Sequence, residues 1–113
     1  MHEMSLAESV LQIIEDAAQQ QGFTRVRTVW LEIGQLACVD QESLRFSFDA
    51  VMRDSIAQQA QLEIINVAGH GRCELCAREV AIAALYEACP NCGGYALTVT
   101  AGDEMRIKEL EVE

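Results

Sequence analysis

Four cysteines stand as two pairs, Cys73-Glu74-Leu75-Cys76 and Cys89-Pro90-Asn91-Cys92, with twelve residues between the pairs. A C-x2-C turn sets two thiolates on one tight knuckle, and two knuckles facing each other close a tetrahedron around zinc. Pro90 stiffens the second turn, while Gly93 and Gly94 just past it allow positive φ, so that backbone amides can point at sulfur. Cys73, Cys76, Cys89 and Cys92 are therefore expected to hold structural zinc, since four thiolates leave no open position for chemistry. Disulfides or free thiols are the alternatives, and no apolar leader argues for an oxidising compartment. A redox C-x-x-C wants a thioredoxin-like βαβ context, and a deaminase-type site wants H-x-E upstream of P-C-x-x-C. The chain has neither.

A second set of candidate ligands opens the chain as Met1-His2-Glu3. The terminal amine, the deprotonated His2 backbone nitrogen and imidazole Nδ1 can close adjacent chelate rings around one ion, with a further donor from Glu3. Nitrogen-rich planar ligation suits Ni(II) or Cu(II) rather than zinc, magnesium or calcium. His2 is too large for aminopeptidase trimming, so the amine is expected to be that of Met1. A frayed terminus with an incidental histidine has the same residues, and the residues alone leave both readings open.

The elements that must position these groups follow from periodicity. Residues 5–21 read as an amphipathic helix, with Ser5 and Glu8 forming a capping box, Leu6, Val10, Ile13, Ile14, Ala17 and Ala18 on the core side, and Gly22 as the stop. On this reading Met1-His2-Glu3 precedes any helix. Residues 25–33 read as a strand with Val29, Leu31 and Ile33 on one face. Asp40 caps a second helix over about 41–53, burying Leu44, Phe48, Val51 and Met52. Strands follow at 62–67 and 105–112; in the last, Met105 and Ile107 are out of phase with Leu110 and Val112, which implies a bulge or a two-faced strand. That last strand is too apolar to dangle and is expected back in the first sheet. The cysteine lobe is then an insertion, with Gly69, Gly71 and Gly102 at expected hinges. The fold class is α+β: a small three-stranded sheet with two helices plus an inserted zinc-ribbon lobe, divided as 1–68 with 101–113, and 69–100.

Composition narrows the function. The 113 residues carry a formal charge of −10, eight basic residues against eighteen acidic, and a four-thiolate zinc site adds about −2. Phosphate binding needs a basic stripe, so nucleic acid is excluded as a partner. No apolar run approaches the ~20 residues of a membrane span. There is no G-x-x-x-x-G-K-[ST], no G-x-S-x-G and no H-E-x-x-H, which leaves a non-enzymatic protein. Three other residues draw weaker readings. His70 reads as a hinge histidine in a Gly-His-Gly turn before it reads as a ligand, Cys38 as a small buried hydrophobe, and Trp30 as core. Alternating Glu109, Glu111 and Glu113 are a solvated strand face.

The Met1-His2-Glu3-Met4-Ser5-Leu6 start, the Val29-Trp30-Leu31-Glu32-Ile33-Gly34 strand and the four cysteines together resemble the HypA/HybF nickel metallochaperones of [NiFe]-hydrogenase maturation. The resemblance covers essentially the whole chain. It implies a nickel site at Met1, His2 and Glu3 in the helix-flanked sheet domain, zinc on Cys73, Cys76, Cys89 and Cys92, and nickel as cargo. It further implies delivery, with a partner GTPase, to the hydrogenase large-subunit precursor in the cytoplasm. Service to urease and homodimer formation stay open. The competing reading is a zinc-ribbon adaptor that binds proteins without carrying nickel.

Overall fold

The computed structural model describes residues 2–113; Met1 lies outside the described residues. Two helices and six strands run in the order α1 (His2–Gln21), β1 (Val26–Gly34), α2 (Gln41–Met52), β2 (Gln61–Val67), β3 (His70–Cys73), β4 (Glu79–Ala81), β5 (Leu97–Ala101) and β6 (Met105–Val112). They make two three-stranded sheets, ordered β2-β1-β6 and β4-β3-β5. The last strand does pair with β1, and the second sheet lies wholly within the sequence between β2 and β6.

Helix α1 starts earlier than its capping signal. It begins at His2, and Ser5 falls inside it rather than at the N-cap. No proline or glycine before Ser5 stops the helix, and Glu3 in the first turn is favoured by the positive end of the helix dipole. The far end behaves as expected: Gly22 takes φ +79 and its amide returns to the Ala18 carbonyl at 2.8 Å, a left-handed cap. Ala7, Val10 and Ile14 are buried, but Ile13 is 55% exposed. One residue is 100° on a helix, which is enough to carry Ile13 off the stripe centred on its neighbours.

Helix α2 is capped where its sequence says, with Asp40 Oδ1 accepting from the Ser43 amide at 3.1 Å. Leu44, Phe48 and Met52 are buried, while Val51 is half-buried. Strand β1 is the centre of its sheet because it is the most apolar of the three, with Val26, Val29, Leu31 and Ile33 all buried. Trp30, expected in the core, is only half-buried. Strand β6 carries the phase break. Arg106 bonds Glu32 at 2.6 Å and Glu111 accepts from Thr28 Oγ1 at 2.7 Å. Glu32 and Thr28 share one face of β1, yet Arg106 and Glu111 are an odd number of residues apart, which strict alternation cannot give.

The chain forms two compact units. One comprises the described part of Met1–Leu31 with Val39–Ile64 and Ile107–Glu113; the other comprises Glu32–Cys38 and Ile65–Arg106. In the first, α1 packs on α2, and the end of β6 is pinned by Thr24 donating to the Glu113 carbonyl and Glu113 donating to that of Arg25.

In the second unit, β3 is central, pairing antiparallel with β4 (Gly71 opposite Val80) and with β5 (Cys73 opposite Leu97). Glycines expected to be hinges serve close packing instead. A Cβ on Gly69 would meet the Ile82 carbonyl oxygen at 2.5 Å and Leu36 Cγ at 2.8 Å; one on Gly71 would meet Ile82 Cδ1 at 3.2 Å. Gly102, at φ +84, crosses Ala68 and Gly69 at the same point. Three backbone segments are cross-linked there. Leu36 donates to the Gly102 carbonyl at 2.7 Å, Gln35 to that of Val67 at 2.8 Å, and Gly34 to that of Glu104 at 2.8 Å. Cβ-free residues are what let the three segments come that close.

Candidate functional site

The four expected zinc ligands converge. Their sulfurs all lie within 4.8 Å of one another, and among the described residues this is the cluster of His, Cys, Asp or Glu side chains able to hold an ion. None is in a disulfide. Cys73 and Cys92 sulfurs are 3.6 Å apart, and those of Cys76 and Cys89 3.8 Å. A tetrahedral ion with metal–sulfur bonds of about 2.3 Å requires S–S edges of about 3.8 Å. The donor set and its spacing therefore fit zinc.

Local chain chemistry builds each half of the site in the same way. The Ala77 amide donates to the Cys73 carbonyl at 2.7 Å, and that of Gly93 to Cys89 at 2.8 Å. The Cys73 amide donates to the Arg78 carbonyl at 2.9 Å, and that of Cys89 to Gly94 at 2.7 Å. The residue after each pair is left-handed, Ala77 at φ +60 and Gly93 at φ +76. The two knuckles are thus one structure used twice. Only the second has the glycine that this conformation favours.

Hydrogen bonds then make the thiols unequal. Asn91 Nδ2 lies 3.5 Å from Cys76 Sγ and, with the Arg78 amide, lowers its pKa to about 6 against the opposing effect of burial. The Cys92 amide, with that of Asn91, lowers Cys89 against its burial. At Cys92 the Gly94 amide acts to lower the thiol, but hydrogen bonding with Cys73, burial, and the Cys89 and Cys76 sulfurs push it up to about 11. Cys73 and Cys89 are buried, Cys76 is half-buried and Cys92 is exposed.

At the other candidate site, Met1 is outside the described residues, while His2 and Glu3 form the first turn of α1. The His2 side chain is 59% exposed, and its Nδ1 lies 3.3 Å from Glu3 Oε2. The same carboxylate oxygen accepts from the Asp40 amide at 3.4 Å. Burial resists ionisation of Glu3, but bonds from its own amide, His2 and the Asp40 amide hold its pKa below the usual value. Asp40 thus has two jobs: its side chain caps α2 and its amide holds Glu3. The sequence shows only the first, because the second joins residues 37 apart.

The remaining candidates fall elsewhere. His70 is not in a turn; it opens β3, half-buried, between Ala81 and Ala101. Cys38 is exposed and left-handed at φ +58, not the buried hydrophobe its composition implied. Its loop runs between β1 and the Asp40 cap, where no strand or helix alternation dictates which way a side chain points.

Comparison with known proteins decides the family. The model for "Hydrogenase/urease nickel incorporation, metallochaperone, hypA" matches residues 1–112. This chain belongs to the HypA family. Hydrogenase maturation factors HypA from Albidiferax ferrireducens, Rhodopseudomonas palustris (strain BisA53) and Azotobacter vinelandii are 60%, 58% and 56% identical to it, each over the full length of both chains. The solution structure of the nickel metallochaperone HypA from Helicobacter pylori superposes with a TM-score of 0.73 at 25% identity, covering 97% of this chain and 96% of that one. A second HypA solution structure gives 0.74 at 26%, covering 100% and 97%. The α+β fold with its four-cysteine lobe is that of HypA, and the family's work is nickel incorporation by a metallochaperone. No helix among the described residues is long and apolar enough to cross a membrane.

Proposed function

We propose that the chain carries Ni(II) at its N-terminus, on the Met1 amine, the His2 backbone nitrogen and His2 Nδ1, with Glu3 supporting them. It would deliver the ion, with a partner GTPase, to the [NiFe]-hydrogenase large-subunit precursor in the cytoplasm. The observation that carries this reading is the placement of His2 in the first turn of α1. The first amides of a helix have no acceptor within it, so the His2 nitrogen can lose its proton without breaking a helical bond. An exposed imidazole beside it gives a shallow site, which suits a carrier that must release its cargo. Without the ion, Nδ1 faces Glu3 Oε2, which the Asp40 amide holds; nickel would take the place of the Nδ1 proton and keep that carboxylate at its side. Residues 1–68 and 101–113 would bind nickel, and 69–100 would hold structural zinc on Cys73, Cys76, Cys89 and Cys92.

The test uses three zinc-loaded forms: the native terminus, a short N-terminal extension and His2→Ala. The extension converts the Met1 amine to an amide while leaving His2 in place. Both altered forms should lose stoichiometric nickel binding and keep their fold. Equal nickel affinity in all three would overturn the reading. The adaptor reading has one observation in its favour, the exposed Leu75, Tyr86 and Tyr95 of the cysteine lobe; it predicts no stoichiometric nickel in any form.

A further inference from the structure

The two knuckles share their backbone bonds, so what differs between them is side chains. Leu75 and Asn91 hold the same third position in their C-x-x-C turns, and Asn91 leans toward the last cysteine of the opposite turn. Asn91 Nδ2 donates to Cys76 Sγ at 3.5 Å. Leu75 lies over Gly94, where an added Cβ would stand 2.5 Å from Leu75 Cδ1 and 3.5 Å from Cys92 Sγ. The backbone donors are matched: the amide two residues on, Arg78 or Gly94, points at each of these sulfurs. The difference reduces to an amide N–H at Cys76 and, from the equivalent position, a hydrocarbon over Gly94; Cys92 is the exposed thiol.

We propose that Asn91 is a positioning residue that sets an order of release among the zinc ligands, holding Cys76 in place and leaving Cys92 as the thiolate at which the site opens. This rests on zinc occupying the four thiolates. An N–H bonded to a thiolate draws charge from sulfur, which makes it a poorer nucleophile and ties its position to the donor. Because the donor comes from the opposite knuckle, the bond also clasps the two halves together. Among the described residues Cys92 has no such side-chain N–H clasp, and it is the exposed thiol of the four. An attacking electrophile or a competing chelator therefore meets Cys92 first. A four-thiolate site of this kind is stable at rest yet opens along one defined edge.

The experiment exchanges the two side chains in the zinc-loaded full chain, using Asn91→Leu and Leu75→Asn. Both positions are exposed, so the fold tolerates the changes. Zinc content is measured first for every form. Alkylation of each cysteine by iodoacetamide is then followed by peptide mapping, and zinc transfer to the dye 4-(2-pyridylazo)resorcinol by absorbance. In the unaltered chain Cys92 should be modified before Cys76. Asn91→Leu should speed modification of Cys76 and zinc transfer about ten-fold, the lower end of what losing a ligand's hydrogen-bond partner does. Leu75→Asn should slow modification of Cys92. Full zinc content with Cys76 unmoved in Asn91→Leu, or with all four thiols accelerated together as a loosened lobe would give, overturns the proposal. Absence of zinc from the unaltered chain would overturn the zinc reading beneath it instead.

Discussion

Gly34→Ala isolates the close approach of three backbone segments. A Cβ at this position would lie 2.1 Å from the Gly102 carbonyl oxygen, 2.2 Å from its carbon and 2.8 Å from the Asp103 nitrogen. Contacts of this kind need at least 3.0 Å, and every neighbour is backbone, so nothing can rotate away. One segment must therefore move by about 1 Å, by the ordinary rules of overpacking. That movement breaks or weakens the bonds of Gly34 to the Glu104 carbonyl and of Leu36 to that of Gly102. Strain of about 1–3 kcal/mol and two bonds at about 1 kcal/mol each give a loss of about 3–5 kcal/mol. For a domain this size that is a large part of a stability of order 10 kcal/mol, and a fall in Tm of roughly 10–20 °C. Gly22→Ala is the control. Gly22 also has positive φ, but nothing lies within 4 Å of its added Cβ, so only the backbone preference of about 1–2 kcal/mol is lost. Urea unfolding of zinc-loaded protein, followed by circular dichroism, measures both. If Gly34→Ala costs no more than Gly22→Ala, the steric account of the junction is wrong.

Ser47 is fully buried in α2 with a hydroxyl that has no hydrogen-bond partner among the described residues; Ser47→Ala should raise unfolding free energy by about 1–2 kcal/mol, read in the same urea experiment. Removing zinc with a chelator should erase amide-exchange protection in β3, β4 and β5 while α1 and α2 keep theirs, because a small metal lobe gains its folding energy from the ion; protection that persists in β3 without metal would count against this. Nickel affinity should fall as pH drops, since to bind it the amine, amide and imidazole nitrogens must all be free of the proton they would otherwise hold. Zinc should stay bound further down, because its four thiolates are already gathered at tetrahedral spacing by their knuckles. Parallel titrations followed by metal content would show whether nickel leaves first.

Much of the fold follows from short-range chemistry. Asp40 caps α2 through a residue three positions on, and the C-x2-C turns need only their own backbone to form. The return of β6 to β1 was legible because a strand as apolar as Met105–Val112 has no cover in a lobe dominated by two metal knuckles. The start of α1 was not, because a capping signal marks where a helix may begin and says little when no breaker precedes it.

What the sequence determined by itself is the chemistry at hand: two cysteine pairs at metal-ligand spacing, a histidine at position two, and the periodicities of the two helices and the first sheet. Tertiary structure alone decided how those groups are tuned. The Asp40 amide on Glu3, the Asn91 amide on Cys76, and the backbone of Gly102 against Gly34 all join parts of the chain that no local pattern relates. Each is a short-range force acting between residues brought together by the packing of other residues. Hydrogen bonds and steric contacts act over a few ångströms of space, and sequence separation does not measure that distance.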